Sequence, residues 1–151
     1  MMDMSKKKEK INVLFVCTGN SCRSQIAQGW ARHLKGNVIE AYSAGTMPGV
    51  VSSRATEAMA EAGVDISGHT SKHIDDLAGI EFDYIITLCD SAKHSCPAFP
   101  ALVKVIHHSF FDPTSLIGTP EQVKSAFRQT RDKIKQFIET LPETLGAEDN
   151  E

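Results

Sequence analysis

The residues best suited to chemistry lie in one short segment, Cys17-Thr-Gly-Asn-Ser-Cys-Arg23-Ser24. Five residues separate the thiol of Cys17 from the guanidinium of Arg23. A loop this short can curl its backbone N–H groups around one small anion, with Gly19 supplying conformational freedom. The planar fork of Arg23 suits two oxygens of a phosphate-like group. We therefore predict an oxyanion-binding loop formed by Thr18, Gly19, Asn20, Ser21, Cys22, Arg23 and Ser24.

The position of Cys17 in this loop predicts a nucleophile. The apolar run Ile11–Val16 leads into it, and a helical pattern starts at Ser24. A helix N-terminus and an arginine both favour a thiolate, which is the reactive form of cysteine. The alternative is a buried cysteine at a strand end with an arginine nearby by chance. Cys22 opens the helix, and we interpret it as a packed small residue.

Transfer of an oxyanion also needs an acid that protonates the leaving group. Asp112, in Phe110-Phe111-Asp112-Pro113, is the candidate, because it lies in a loop beside two aromatic residues. An aspartate before a proline is also a common turn former, so the pattern fits a structural role equally. The catalytic interpretation requires that Asp112 and the Cys17 loop meet in space.

Two further cysteines, Cys89 and Cys96, stand seven positions apart in a polar segment. This spacing fits neither a C-x2-C zinc site nor a thioredoxin-type C-x-x-C. His94 lies between them, but a single histidine in a polar loop is usually solvated, and no metal site is predicted. Accessible thiols in a flexible segment can undergo thiol–disulfide exchange. Together with Cys17 they indicate reduction as well as hydrolysis.

The elements that must position these residues alternate between strand and helix. Apolar runs predict strands at Ile11–Val16, Val38–Ser43, Phe82–Leu88 and Leu102–His107. Helices are expected from Ser24 to Gly36, after a cap at Ser52 or Ser53, at Ile74–Leu77, and from a capping box at Thr119 to Pro142. This order predicts one α/β domain with a parallel sheet and helices on both faces. Cys17 and Cys89 each follow a strand, so both belong at the carboxyl edge, where such sheets bind ligands.

The bulk properties are those of one ordinary globular domain. The chain has 151 residues, 41% hydrophobic, with a formal net charge of −3. This charge gives no reason to expect nucleic acid or anionic membrane as partner, and the apolar runs are too short to span a bilayer. We expect a cytoplasmic monomer with a domain at residues 11–141, a flexible tail at 1–10 and a disordered acidic tail at 142–151.

With these residues in place, the chain resembles the thioredoxin-coupled arsenate reductases, which share the fold of low-molecular-weight protein tyrosine phosphatases. The likeness covers roughly Ile11 to Leu141. The matching segments are Cys17–Ser24, Ser43-Ala-Gly45, Asp65-Ile-Ser, His69-Thr-Ser71, Thr87-Leu-Cys89, Cys96-Pro97 and Asp112-Pro113. The resemblance implies a three-layer domain with a four-stranded parallel sheet in the order 2-1-3-4.

The resemblance also implies a mechanism. Cys17 attacks arsenate, for which phosphate or sulfate are analogues, while Arg23 holds the anion and Asp112 protonates the leaving oxygen. Cys89 then attacks Cys17, arsenite leaves, and a Cys17–Cys89 disulfide forms. Cys96 resolves it to a Cys89–Cys96 disulfide, which thioredoxin reduces, so no bound cofactor is required. Asn20 and Ser43 are implied to hold the loop in shape through hydrogen bonds.

The chain departs from the family at one secondary site. Some family members bind potassium beside the loop through Asn, Glu, Ser and Asp, where this chain has Asn20, Gln28, Ser43 and Lys72. Two carboxylates are therefore missing. Our hypothesis is that the Lys72 ammonium takes the place of the cation.

Two other functions are compatible with these residues. The first is a phosphotyrosine phosphatase, in which water hydrolyses a Cys17 phosphoenzyme. Such enzymes stack the substrate phenol on aromatics near the loop, whereas Thr46–Val51 has none and Thr114 follows Asp112-Pro113. The second is a thiol-based metal or redox sensor, for which the sequence shows no DNA-binding element.

Overall fold

The computed structural model describes residues 10–89 and 103–145 of the chain. Its described strands and helices follow the predicted order, and residues 90–102, between the third and fourth strands, lie outside the described residues. In chain order the elements are β1 (Ile11–Cys17), α1 (Arg23–Lys35), β2 (Ile39–Gly45), α2 (Ser53–Glu61), a 3-10 helix (Ile74–Leu77), β3 (Tyr84–Thr87), β4 (Lys104–His107), a second 3-10 helix (Pro113–Ser115) and α3 (Pro120–Glu139). No helix within these residues is long and apolar enough to cross a membrane.

The four strands form one parallel sheet in the order β2-β1-β3-β4. This confirms the predicted sheet and its order. The register aligns Cys17 with Gly45 on one side of β1, and Val16 with Thr87 on the other. The carboxyl end of β1 is thus flanked by the ends of β2 and β3, as a site at this edge requires.

Both faces of β1 are buried, which explains its unbroken apolar run. Val13 and Phe15 belong to the larger core, shared with α1, α2 and α3. Leu14 and Val16 belong to a smaller core on the opposite face, which includes Ile74 of the first 3-10 helix. A strand covered on both sides loses the polar–apolar alternation of a half-exposed strand.

The predicted caps are present. Ser52 accepts a hydrogen bond from the backbone N–H of Ala55 at the start of α2. Thr119 and Gln122 form the capping box of α3, with Pro120 at its first position. These bonds satisfy backbone groups that a helix end leaves unpaired, so α2 and α3 begin where the sequence places them.

The last described residues, 142–145, belong to the segment that we predict to be a disordered tail. Leu145 is 1% exposed and belongs to the larger core, beside Leu141. Burial of this one apolar side chain holds an otherwise polar segment against the domain, and the bounds of the domain stay a prediction. The remainder of that predicted tail, residues 146–151, lies outside the described residues, as do residues 1–9.

Candidate active site

The loop between β1 and α1 places Cys17 at the N-terminus of a helix. Cys17 is 3% exposed, and its sulfur lies 2.9 Å from Ser24 Oγ in the first turn of α1. The residue before α1, Cys22, makes no capping bond through its side chain, and the first turn holds no acidic residue. The amide groups at this helix end thus have no side-chain acceptor, as an anion site requires.

Asn20 holds this loop together from its centre. It is fully buried, and its φ of 48° lies in the left-handed region, which asparagine adopts more readily than most residues. Its side-chain Nδ2 donates to Ser24 Oγ at 2.8 Å, and its Oδ1 accepts from the Lys72 backbone N–H at 2.9 Å. Because Ser24 Oγ accepts a hydrogen bond from Asn20, its own hydroxyl proton is available to donate to the sulfur of Cys17.

Gly45 allows β2 to approach the loop closely. A Cβ atom at this position would lie 2.5 Å from the carbonyl oxygen of Thr18 and 2.8 Å from the backbone nitrogen of Asn20. Both neighbours are backbone atoms and cannot rotate away. The glycine in Ser43-Ala-Gly45 is therefore required by contact with the loop.

Arg23 brings the loop and the predicted acid together. Its Nη1 donates to the Phe110 carbonyl oxygen at 3.0 Å, and its Nη2 lies 3.4 Å from Asp112 Oδ2. Its Nε is buried and has no hydrogen-bond partner among the described residues. An orphaned buried donor of a charged group is costly unless a ligand accepts from it. The Phe110 carbonyl and Asp112 thus hold the two terminal nitrogens of the guanidinium, and its Nε remains available to an anion.

Asp112 forms the turn that the sequence allowed, and it also lies beside the Cys17 loop. Its Oδ1 accepts from the backbone N–H of Thr114 at 3.0 Å, so it caps the second 3-10 helix as a turn former does. Its other oxygen faces Arg23, and the carboxyl side chain is 35% exposed. The spatial meeting of Asp112 with the Cys17 loop, which the catalytic interpretation requires, is present.

The cysteines differ in their surroundings. Cys89 is 5% exposed, its sulfur lies 3.4 Å from Thr18 Oγ1, and it shares the smaller core with Cys17. Cys22 is also buried, and burial raises the pKa of its thiol, an effect to which the nearby charge of Cys17 adds. Cys22 is therefore held as a neutral thiol, as a packed residue would be. Cys96 and His94 lie outside the described residues.

The residues at the positions where the resemblance implies a potassium site do not fit a cation. Ser43 donates a hydrogen bond to Gln28 Oε1, and these two residues line a cavity together with Lys72. The Lys72 ammonium donates to the Thr70 carbonyl oxygen at 2.9 Å. A cavity that holds a lysine in place of a carboxylate lacks the negative oxygen ligands that hard cations prefer. Among the described residues no group of three or more His, Cys, Asp or Glu side chains is placed to hold a metal ion.

The sequence did not reveal a second layer of support behind the loop. Gln25 Nε2 donates to the carbonyl oxygens of Asn20 and Thr70, and the Ser71 hydroxyl donates to the Asn20 carbonyl at 2.6 Å. His69 Nδ1 lies 2.9 Å from Gln25 Oε1. The signal in the sequence is weak: Gln25 is a polar residue beside the buried Ile26 on a helix face that packs on the sheet.

Comparison with known proteins places this geometry in a family. A family model for low molecular weight phosphotyrosine protein phosphatases matches residues 12–151. The arsenate reductase of Halalkalibacterium halodurans is 42% identical over 132 residues, which cover 87% of this chain and 95% of that protein.

Solved structures agree with the sequence comparison. One of an arsenate reductase in the phosphate-binding state has a TM-score of 0.67 at 31% identity, covering 87% of this chain and 95% of the other. The thioredoxin-dependent arsenate reductase of Corynebacterium glutamicum has a TM-score of 0.63 at 25% identity, covering 92% of this chain and 67% of the other. The chain therefore belongs to the low molecular weight phosphotyrosine protein phosphatase family and, within it, to the arsenate reductases.

Proposed function

We propose that this protein reduces arsenate to arsenite, with Cys17 as the nucleophile and Cys89 and Cys96 as relay thiols. The reductive assignment rests on the position of Cys89, which is buried with its sulfur in contact with Thr18, the residue after Cys17. A phosphatase needs the anion loop and an acid, but it has no use for a second thiol at that position. The similarity to proteins that are arsenate reductases supports the same conclusion.

In the first step, arsenate is held by the loop amides and by Arg23 while the thiolate of Cys17 attacks arsenic. An S–As bond forms, and one oxygen leaves as water with a proton from Asp112. Ser24 supports this step because its hydroxyl is positioned to donate to the attacking sulfur. Placing both reactants in one buried loop supplies the orientation that such a displacement needs.

In the second step, the sulfur of Cys89 attacks the sulfur of Cys17. The S–S bond forms as the S–As bond breaks, and its electron pair stays on arsenic, which is thereby reduced from As(V) to As(III). Cys96 then attacks Cys89 and releases Cys17 as a thiolate. The resulting Cys89–Cys96 disulfide is reduced by the dithiol of thioredoxin, as supported by the thioredoxin-dependent relative.

The matching family model keeps phosphatase chemistry as a second candidate. Phosphate has the same tetrahedral shape as arsenate, so the loop would accept either, and water would then hydrolyse a Cys17 phosphoenzyme. The two functions share every step up to the covalent intermediate and differ only in what attacks it.

Replacement of Cys89 separates the two functions. The assay follows arsenate-dependent NADPH oxidation with thioredoxin and thioredoxin reductase, and in parallel the hydrolysis of an aryl phosphate. Cys89→Ser and Cys96→Ser should abolish arsenate turnover, and Cys89→Ser should keep whatever aryl phosphatase activity the wild type has. A wild-type protein that hydrolyses aryl phosphate briskly without oxidising NADPH would overturn the reductase assignment. Equal loss of both activities in Cys89→Ser would show that Cys89 is structural.

A further inference from the structure

A cavity of about 210 Å³ lies between α1, β2 and the segment at residues 68–72. Its lining includes neither Cys17 nor Arg23 nor Asp112, so it is distinct from the active site. Ligand pockets for drug-sized molecules usually exceed about 300 Å³, so this cavity suits a small ion. The lining residues that bear on its chemistry are Gln28, Arg32, Ser43, His69, Thr70 and Lys72.

The cavity is positively charged. Arg32, His69 and Lys72 line it together, and none of its described lining residues is acidic. Burial lowers the pKa of both His69 and Lys72, and the charge of Arg32 lowers both further. His69 is therefore neutral at neutral pH, and the positive charge in the cavity comes from Arg32 and Lys72. Like charges that converge in a partly buried space favour an anion between them.

The two carboxylates that act on His69 and Lys72 already accept hydrogen bonds from backbone N–H groups outside the cavity. Asp65 attracts His69, but its Oδ1 accepts from the backbone N–H of Ser67 at 2.8 Å. Asp76 attracts Lys72, but its Oδ2 accepts from the backbone N–H of His73 at 3.1 Å. Neither lines the cavity, so the positive charge inside it is not neutralised by a bound carboxylate.

Three of the lining residues, Gln28, Arg32 and Lys72, keep hydrogen-bond donors for a ligand. Gln28, 5% exposed, uses its Oε1 to accept from Ser43, which leaves its Nε2 amide for a ligand. The Lys72 ammonium has three protons, and one is donated to the Thr70 carbonyl oxygen. Two ammonium protons, an amide and a guanidinium therefore face a space too small for a large molecule.

We propose that this cavity binds a small oxyanion of the phosphate or sulfate class. The proposal does not depend on which reaction Cys17 performs.

Such an anion would affect the active-site loop, because residues that line the cavity are hydrogen-bonded to Asn20 and Gln25. The Lys72 backbone N–H is bound to the Asn20 side chain, and the Thr70 carbonyl oxygen accepts from Gln25, which also holds the Asn20 carbonyl. Binding at the Lys72 ammonium therefore restrains the segment that fixes Asn20.

The test is an NMR titration of the ¹⁵N-labelled full chain with sodium phosphate and sodium sulfate, against sodium chloride at equal ionic strength. The Arg23→Met background removes binding at the Cys17 loop. We expect saturable shifts of the backbone amides of residues 68–72. Adding Arg32→Gln should weaken this binding by about tenfold or more, because a charged hydrogen-bond donor is lost. Lys35→Gln, which removes one charge from the same helix end outside the cavity, should leave it unchanged.

Three outcomes would overturn the proposal. The first is that amides 68–72 show no saturable shift beyond that of chloride. The second is that Arg32→Gln and Lys35→Gln weaken binding equally. The third is a saturable shift specific to potassium over sodium, which would mark a cation site. If Arg23→Met does not fold, the same titration is carried out on the wild type. Two separate sites should then give one dissociation constant for the amides of residues 18–24 and a different one for the amides of residues 68–72.

Discussion

The central position of Asn20 in the loop makes its replacement the most informative perturbation of the site. Asn20→Ala removes the bonds to Ser24 Oγ and to the Lys72 backbone N–H, and it places an alanine at a φ of 48°. Leaving one buried donor unpaired costs about 1–3 kcal/mol. Forcing the left-handed conformation on alanine adds roughly 1–2 kcal/mol. The free energy of unfolding should therefore fall by about 2–5 kcal/mol.

Asn20→Gly is the matched variant, since glycine adopts the left-handed region freely but makes neither side-chain bond. Glycine avoids the cost of the left-handed conformation, but it gives the unfolded chain more conformational entropy, which costs less. The Asn20→Gly protein should therefore be about 1 kcal/mol more stable than Asn20→Ala. Ser24→Ala keeps the backbone and the Lys72 bond, and it removes only the hydroxyl beside Cys17. We expect it to lose the least stability of the three.

Urea denaturation measures the stabilities, and arsenate-dependent NADPH oxidation measures kcat/KM. All three variants should lose about 100-fold in kcat/KM, as expected when a reacting group is no longer held in place. Equal stabilities for Asn20→Ala and Asn20→Gly would show that the backbone conformation carries no cost there. An Asn20→Ala protein that is as stable and active as wild type would refute the assignment of Asn20 as the centre of the loop.

Three shorter predictions follow from neighbouring residues. Gly45→Ala should lower both the melting temperature and arsenate turnover, since its Cβ would collide with backbone atoms of the loop. Cys22→Ala should keep arsenate turnover within a few-fold of wild type, because its buried neutral thiol takes no part in the relay. Burial, then Arg32 and Lys72, lower the pKa of His69 below its ordinary value of 6.5, so the unfolded chain binds more protons just below that pH. The free energy of unfolding should therefore fall as pH drops through about 6.5, and His69→Gln should flatten that slope in urea titrations.

The local features of this site were predictable because they arise from adjacent residues. An apolar run that stops at Cys17, a glycine in the loop and an immediate helix are all contained in one segment, and so is the capping box of α3. The contacts that complete the site were not predictable from pattern alone. Arg23 reaches the carbonyl oxygen of Phe110, 87 positions away, and this pairing follows only from the packing of the sheet. Leu145 was missed for the same reason, since one apolar residue in a polar segment has no periodicity.

The placement of Cys89 shows how one loop can serve two reactions. In a parallel sheet, neighbouring strands end at the same edge, so the residues that follow β3 are brought beside the end of β1 whatever their identity. Cys89, two positions after β3, contacts the loop only at the Thr18 hydroxyl among the bonds described above, and the bonds that fix Asn20 run through Ser24, Gln25 and the segment at 71–72. Anion binding and the reductive step are then structurally separable. It follows that loss of Cys89 should alter the fate of the covalent intermediate while leaving its formation intact.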